Sequence, residues 1–270
     1  MTRFLTTLRH KLSGFADSLA FSNRWMILLQ RLTRPSDPLL SYCWRNQWWL
    51  VCDTRLHDAH AAKEVLAQGC YRPWIQKSLR EGRLAYVNVG ANIGAFDLAV
   101  AAESREAAPS LSIELNPHTF VRLNFNLEIN GLRQVRSLNA GVARAAGAFH
   151  FQPSACSLSD GLFAPRAPVG AADVEVPLLT LDEAIARSGL GGREFALRKL
   201  DCEGAEYGIV GGAAPDCLRH FRHIVAELHP EPAGESVAAL YATLSACGFR
   251  TAQPPWVSAQ KTELRFWSRV

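Results

Sequence analysis

The sequence predicts an α/β fold, with a mostly parallel sheet, a closing antiparallel pair of strands and a largely helical region before them. Two observations support this prediction. After Gly82, short apolar runs alternate with stretches of helical spacing, which is typical of a parallel sheet covered on both faces. Before Gly82 this alternation is absent and helical spacing dominates. We therefore divide the chain into a basic helical N-terminal region or cap, residues 1–80, and an α/β domain, residues 81–270.

Composition and charge limit the class of protein. The 270 residues are 48% hydrophobic and 20% charged, which is ordinary for a globular chain. Residues 1–34 hold six Lys or Arg and one Asp, a net charge of +5, and since the whole chain carries +4 the remainder carries −1. Nucleic-acid surfaces need basic patches across the working face of the fold, so this local charge argues against a nucleic-acid partner.

Targeting signals are not evident. No apolar run approaches the roughly 18 residues that a membrane span needs, and Arg3, Arg9 and Lys11 precede any apolar block, which fits a secretory signal poorly. We therefore expect a cytoplasmic protein. The seven cysteines form no C-x-x-C pair, which predicts reduced and mostly buried thiols.

The N-terminal region shows two helical patterns. From Phe4, apolar residues recur at three- and four-residue spacing as far as Leu19, which predicts an amphipathic helix. A second helix is predicted at about residues 23–32, before the prolines at 35 and 38. Two interpretations stay open: a cap packed on the α/β domain, or a basic helix that contacts a membrane surface or a partner.

The remaining elements follow in order. Residues 40–80 are rich in Trp, with a helical pattern at about residues 57–66. Between residues 141 and 176 the pattern is weak, with a hairpin edge near 148–152 and then a Ser/Ala/Pro-rich loop suited to a substrate lid. Strands are predicted at 85–89, 110–114, 135–140, 195–200 and 223–228, helices at 95–102, 117–130, 205–211 and 234–247, and the closing strands at 250–253 and 262–267.

The strongest motif is Tyr86-Val-Asn-Val-Gly-Ala-Asn-Ile-Gly94, a strand that runs into a glycine turn opening a helix. Glycine lets a backbone approach a ligand closely, and a helix N-terminus offers unpaired N–H groups, although tight turns also need glycine for structural reasons. A nicotinamide fingerprint has glycine at the first, third and sixth positions. Here those positions hold Gly90, Asn92 and Ala95, a spacing that suits an S-adenosylmethionine loop better.

Glu114 ends the second strand about 20 residues beyond the glycine loop, the position from which a carboxylate accepts the hydrogen bonds of a ribose diol. The alternative is a surface carboxylate favoured by the dipole of the following helix. Leu115 and Asn139 are further predicted cofactor contacts.

Two more blocks end strands. Asp201, Glu203 and Glu206 lie within six residues and would repel one another without a cation, which Lys199, a sulfonium or a metal could supply. For Glu206 we favour a structural role at a helix N-terminus. His229 follows Glu227 at the end of another strand; a lone histidine is more often structural, but open α/β sheets bind ligands at this edge.

Together these blocks resemble the FkbM-type S-adenosylmethionine-dependent methyltransferase family over about residues 84–230. That family's pattern is an Asp-Val-Gly-Ala-Asn-x-Gly loop, a Glu-Pro-Asn-Pro-like strand end, an asparagine-rich helix, a Lys-x-Asp-x-Glu-Gly-x-Glu block and a final Glu-x-His. The matching positions are Gly90, Ala91, Asn92, Gly94, Glu114, Asn116, Pro117, Asn124, Asn126, Asn130, Lys199, Asp201, Glu203, Gly204, Glu206, Glu227 and His229.

Asn88 departs from this pattern, because the family has an aspartate there. An amide can still hydrogen-bond the ligand's amino group but loses the charge attraction. We therefore expect Asn88→Asp to bind the cofactor as well as the parent or better.

The resemblance implies a Rossmann-like class I methyltransferase sheet, S-adenosylmethionine as cofactor, and O-methylation of a hydroxyl on a saccharide or secondary metabolite. His229 is favoured narrowly as the proton acceptor, since the ordinary histidine pKa of about 6.5 suits that task. A nicotinamide-dependent oxidoreductase and a cofactor-binding scaffold without turnover are the alternatives.

The predicted catalytic residues are Lys199, Asp201, Glu203 and His229. The predicted cofactor contacts are Asn88, Gly90, Ala91, Asn92, Gly94, Glu114, Leu115, Asn139 and Asp201. No metal is predicted.

Overall fold

The computed structural model describes residues 17–56, 58–104, 108–151, 174–251, 256–257 and 263–270. The predicted substrate lid lies outside these residues, as does the helix predicted from Phe4 except for its last residues, 17–19. Within the described part of the chain, no helix is long and apolar enough to cross a membrane.

The centre of the fold is an eight-stranded sheet. Its strands are β3 Tyr86–Val89, β4 Ser110–Glu114, β5 Val135–Asn139, β9 Phe195–Leu200, β10 Phe221–Leu228, β11 Phe249–Arg250, β12 Trp256–Val257 and β13 Glu263–Arg269. Their order is β11-β13-β10-β9-β3-β4-β5, with β12 paired to β13. Strands β5, β4, β3, β9 and β10 run parallel, whereas β13 is antiparallel to β10 and β11 is antiparallel to β13. The predicted fold class is thus confirmed, and only β12 of this sheet was not predicted.

Helices cover both faces of the sheet. Side chains that alternate along a strand enter different cores: Val225 of β10 belongs to one cluster, and its neighbours Ile224 and Ala226 belong to the other. The α-helices are α1 Arg24–Thr33, α2 Asp58–Ala62, α3 Arg72–Arg80, α4 Ala95–Glu103, α5 Pro117–Ile129, α6 Leu181–Arg187, α7 Glu206–Gly212, α8 Pro215–Arg219 and α9 Val237–Ala246, and a π-helical turn spans Lys63–Gln68.

The N-terminal region contains a β-hairpin that the sequence analysis did not predict. Strands β1, Leu39–Trp44, and β2, Trp48–Asp53, pair antiparallel. The turn between them places Arg45 and Asn46 at φ values of 52° and 58°, and only the asparagine signals that left-handed conformation. The prediction of a helical region is therefore wrong over residues 39–53, whereas α1 confirms the helix expected near residues 23–32.

Asparagines of α5 bind the outer edge of this hairpin. Asn126 accepts from the Val51 N–H at 2.8 Å and donates to the Val51 carbonyl at 3.1 Å, and Asn130 does the same with Trp49 at 2.9 and 2.6 Å. The buried Asn126 amide also donates to the Ile93 carbonyl at 2.9 Å. The asparagine-rich helix of the family pattern therefore joins the N-terminal hairpin to the glycine loop.

A second, three-stranded sheet lies beside the first, in the order β6-β8-β7, formed by Gly141–Val142, Val174–Leu179 and Gly147–Phe151. The hairpin edge expected near residues 148–152 is β7, whose partner β8 was not predicted. Helix α6 was missed although Thr180 and Glu183 form a capping box, a signal that the sequence contains.

Candidate active site

The motif blocks meet at one edge of the central sheet. Strands β3, β4, β9 and β10 are parallel, so their carboxyl ends lie together, and ligands of open α/β sheets bind at this edge. The structure brings Lys199, Asp201, Glu227 and His229 within contact of one another or of shared neighbours.

Gly90 is required by a close backbone contact. Its φ is +73°, and a Cβ at this position would lie 1.7 Å from the carbonyl oxygen of Asp201. The N–H groups of Gly90 and Ala91 donate to the Ile113 carbonyl of β4 at 3.1 and 2.9 Å. The glycine thus lets the loop pack against the end of β9, which is the structural use of glycine that the sequence analysis left open.

Glu114 orients the glycine loop. One carboxylate oxygen accepts the Asn92 N–H at 2.8 Å and the other accepts the Asn116 N–H at 2.8 Å. The side chain is held close to the loop, with the residue 7% exposed. A carboxylate can accept about four hydrogen bonds, so these two contacts are compatible with a ribose diol as a further donor. That contact stays a prediction.

Asn139 and Leu115 lie beside Glu114, as expected of residues at one sheet edge. The Asn139 amide donates to the Glu114 carbonyl at 2.8 Å and to the Leu115 carbonyl at 3.0 Å. The amide therefore fixes the chain where it leaves β4. Their contact with the cofactor stays a prediction.

Asn88 lies beneath the loop. It is fully buried, and its amide donates to a carboxylate oxygen of Asp97 at 3.1 Å. Asp97 is also fully buried and accepts the hydroxyls of Tyr86 and Ser112, and burial raises its pKa. The sequence analysis did not identify Asp97. The family pattern has a carboxylate at position 88, and in this chain a carboxylate is present instead at position 97, where it accepts a hydrogen bond from Asn88.

Lys199 supplies the cation that the acidic cluster needs. Its Nζ donates to the Gly90 carbonyl at 2.7 Å and lies 3.1 Å from a carboxylate oxygen of Asp201. Burial is the largest single effect on Lys199 and acts to lower its pKa, but the neighbouring groups Asp201, Cys202 and Glu227 together outweigh it and raise that pKa. Burial is likewise the largest single effect on Asp201 and acts to raise its pKa, but Lys199, His229 and the Tyr71 hydroxyl together outweigh it and lower that pKa. Both groups are therefore charged at neutral pH.

Tyr71 completes the pair from the N-terminal region. Its buried hydroxyl donates at 3.1 Å to the Asp201 oxygen that Lys199 contacts. Tyr71 follows the π-helical turn Lys63–Gln68, a kind of distortion that is frequent at functional sites. No sequence motif marks this residue, and the sequence analysis missed it.

His229 lies between two carboxylates. Its Nδ1 is 3.1 Å from Glu206, which is fully buried and also accepts the Cys202 N–H at 2.7 Å, and its Nε2 is 3.6 Å from Glu203. Burial acts to lower the pKa of His229, but the hydrogen bond to Glu206 and the surrounding carboxylates raise it to about 9. The imidazole is thus protonated at neutral pH, which corrects the expectation of an ordinary value near about 6.5.

Asp201, Glu227 and His229 could in principle bind a metal, since each offers one ligand atom and these atoms lie within 4.8 Å of one another. The ammonium of Lys199 already neutralises Asp201 at 3.1 Å, and the imidazole is positively charged at neutral pH. Both charges disfavour a cation at this place. A site without metal remains our prediction.

The strand order and the site together define a class. A parallel sheet closed by an antiparallel strand, a glycine turn after β3 and a carboxylate at the end of β4 are the features of a class I methyltransferase. Residues 88–251 match the profile of the methyltransferase FkbM domain. This chain therefore belongs to the FkbM family of S-adenosylmethionine-dependent methyltransferases.

The solved structures that match this chain are distant in sequence. An FkbM methyltransferase from Methylobacillus flagellatus KT is 14% identical at a TM-score of 0.47, and the match covers 81% of this chain and 56% of that one. The methyltransferase domain of METTL16 is 12% identical at 0.46, covering 74% and 66%. Magnesium protoporphyrin IX methyltransferase from Synechocystis PCC 6803, with bound S-adenosylmethionine, is 10% identical at 0.41, covering 77% and 84%. Among curated proteins, none matches this sequence.

The buried Asn88–Asp97 contact reverses the expectation for Asn88→Asp. That substitution sets two carboxylates in contact without solvent, so one must take up a proton or remain as an uncompensated charge, at a cost of about 3 kcal/mol in unfolding free energy. We expect a lower melting temperature and weaker binding of adenosylhomocysteine by calorimetry. The matched control is the double variant Asn88→Asp/Asp97→Asn, which keeps one carboxylate and one amide and should recover both properties. Parental stability and affinity in the single variant would contradict this account.

Proposed function

We propose that this protein transfers the methyl group of S-adenosylmethionine to a hydroxyl oxygen of a saccharide or another small metabolite. The observation that carries the proposal is the His229 imidazole, held by Glu206 at the sheet edge that also bears the Lys199–Asp201 pair. Such a transfer needs a group that accepts the acceptor's proton, placed where cofactor and acceptor meet.

We assign cofactor binding to the glycine loop and to the residues that contact it, Glu114 and Lys199. In this proposal Glu114 accepts the ribose hydroxyls, and its contact with the Asn92 N–H of the loop supports that role. Carboxylates outnumber cations around Asp201, with Glu203 and Glu227 close by and Lys199 and His229 opposing them. A surplus of negative charge favours a ligand that carries a positive sulfonium.

The chain's own residues must align the acceptor, exclude water and take the proton. S-adenosylmethionine supplies the methyl group and leaves as a neutral thioether, so the S–CH₃ bond breaks as the O–CH₃ bond forms. The hydroxyl proton passes to His229 in its neutral form. Because its pKa is about 9, only about one imidazole in a hundred is neutral at pH 7, and the rate should rise into the alkaline range. Asp201 is the weaker base because Lys199 lowers its pKa.

The other assignments are also proposals. They are a small-molecule or saccharide acceptor, no nucleic-acid partner and a cytoplasmic location. The excess of positive charge lies within residues 1–34, which argues against a nucleic-acid surface across the fold. A nicotinamide-dependent oxidoreductase is disfavoured because Asn92 and Ala95 occupy positions where that fingerprint has glycine.

Transfer from S-adenosylmethionine with a labelled methyl group into the saccharide and metabolite fractions of a cell extract tests this proposal. We expect label in an alkali-stable ether. His229→Ala should lower the rate by about 10²- to 10⁴-fold, the usual contribution of a positioned base, with little change in cofactor affinity. Label in an alkali-labile ester would overturn the hydroxyl assignment, and cofactor binding without any transfer would favour the scaffold alternative.

The pKa of His229 can be measured without knowing the acceptor. An NMR titration of the imidazole, assigned by its loss in His229→Ala, should have its midpoint at about pH 9. A carboxylate next to an imidazole favours the protonated form, so Glu206→Gln should lower the midpoint, and Glu203→Gln should lower it less because its contact is longer. The alkaline rise in methyl transfer should move with the midpoint. A midpoint near about 6.5 in the parent would contradict this electrostatic account.

A further inference from the structure

Helix α1 presents an apolar face to solvent. Trp25, Met26, Leu29 and Leu32 are 68%, 54%, 60% and 80% exposed, respectively. Residues 25, 29 and 32 follow the spacing of one helix face, and residue 26 borders it. We call these four residues the α1 face. Contiguous exposed apolar residues of this size mark interaction sites more often than ordinary surface.

The opposite side of α1 is firmly packed. Ile27 and the preceding Phe21 are buried in the core. The Asn23 side chain, just before the helix, accepts the Cys43 N–H at 2.8 Å and donates to the Ser41 carbonyl at 2.8 Å, both on β1. The helix therefore cannot turn to bury its apolar face without losing these contacts.

The charge around this helix is positive. Arg24, Arg31 and Arg34 lie on α1 or directly after it, and residues 18–36 contain no Asp or Glu. Residues 1–34 carry +5 and the rest of the chain carries −1, so the excess of positive charge at this end favours contact with a negative surface. The preceding residues continue the pattern in sequence, with Arg9 and Lys11 between Leu8 and Leu12.

We propose that the α1 face docks on an anionic lipid surface. An interfacial helix inserts Trp and Leu side chains at the boundary between headgroups and acyl chains, and nearby arginines bind the negative headgroups. This inference is independent of the proposed reaction, since the α1 face contains none of the residues assigned to the active site.

Vesicle flotation of the full chain tests the proposal. We expect the parent to float with vesicles of phosphatidylserine and phosphatidylcholine, weakly with phosphatidylcholine alone, and less as ionic strength rises. Trp25→Ser/Leu29→Ser/Leu32→Ser should lower the partition coefficient by about tenfold or more, because full burial of even one such side chain is worth about a factor of ten. Arg24→Gln/Arg34→Gln should lower it on anionic vesicles only.

The matched control replaces a second exposed apolar set, Val121, Phe125 and Ile129 of α5, by serine. It removes a similar number of exposed apolar side chains and should leave flotation unchanged, and adenosylhomocysteine affinity should stay parental in every variant. Deletion of residues 1–34 is unsuitable as a test, since it removes the core residues Phe21 and Ile27.

Five outcomes would overturn the proposal. The first three are a parent that does not float, equal flotation of the α1 triple variant, and equal binding of neutral and anionic vesicles. The fourth is a parent dimer in sedimentation velocity that the triple variant abolishes without any vesicle binding, which would make a second copy of the chain the occupant. If only a variant lacking residues 1–16 binds vesicles, the face is covered by the chain's own N-terminus and the proposal also fails.

Discussion

The buried ammonium of Lys199 is the contact on which the site depends. It joins the Gly90 carbonyl of the glycine loop to the Asp201 carboxylate at the end of β9, at 2.7 and 3.1 Å. The same two segments touch through their backbones, where only glycine fits. Charge and close packing therefore hold the loop and the end of β9 in one relative position. Burying either charge without the other would be costly, so the two residues act as a unit.

The N-terminal region contributes to the same arrangement. Tyr71 donates its hydroxyl to Asp201, and Asn126 connects β2 to the loop through Val51 and Ile93. The region predicted as a cap thus orders two sides of the site, although the FkbM profile match begins at residue 88. The protonated state of His229 also depends on contacts that the fold creates, because Glu206 and Glu203 surround the imidazole with negative charge.

Sequence patterns predicted the features that are local. The strand ends that bear Gly90, Glu114 and Asp201 were found because apolar runs and turn residues mark them within a few positions. Contacts between distant residues were not predicted: the Tyr71–Asp201 bond spans 130 positions and has no motif. The pKa of His229 was misjudged for the same reason, since it is set by neighbours that the fold brings together. The hairpin over residues 39–53 was missed because Arg45 does not signal a left-handed turn.

The most direct test of the central claim is calorimetric titration of adenosylhomocysteine into the double variant Lys199→Gln/Asp201→Asn. Removing both charges together avoids an uncompensated buried ion, so the protein should fold with a melting temperature near the parent's. Loss of the charged hydrogen bond that anchors Gly90 should weaken binding by about 10- to 100-fold, since such a bond is worth about 1.5–3 kcal/mol. Parental affinity in a folded double variant would show that the Lys199 contact does not position the cofactor loop.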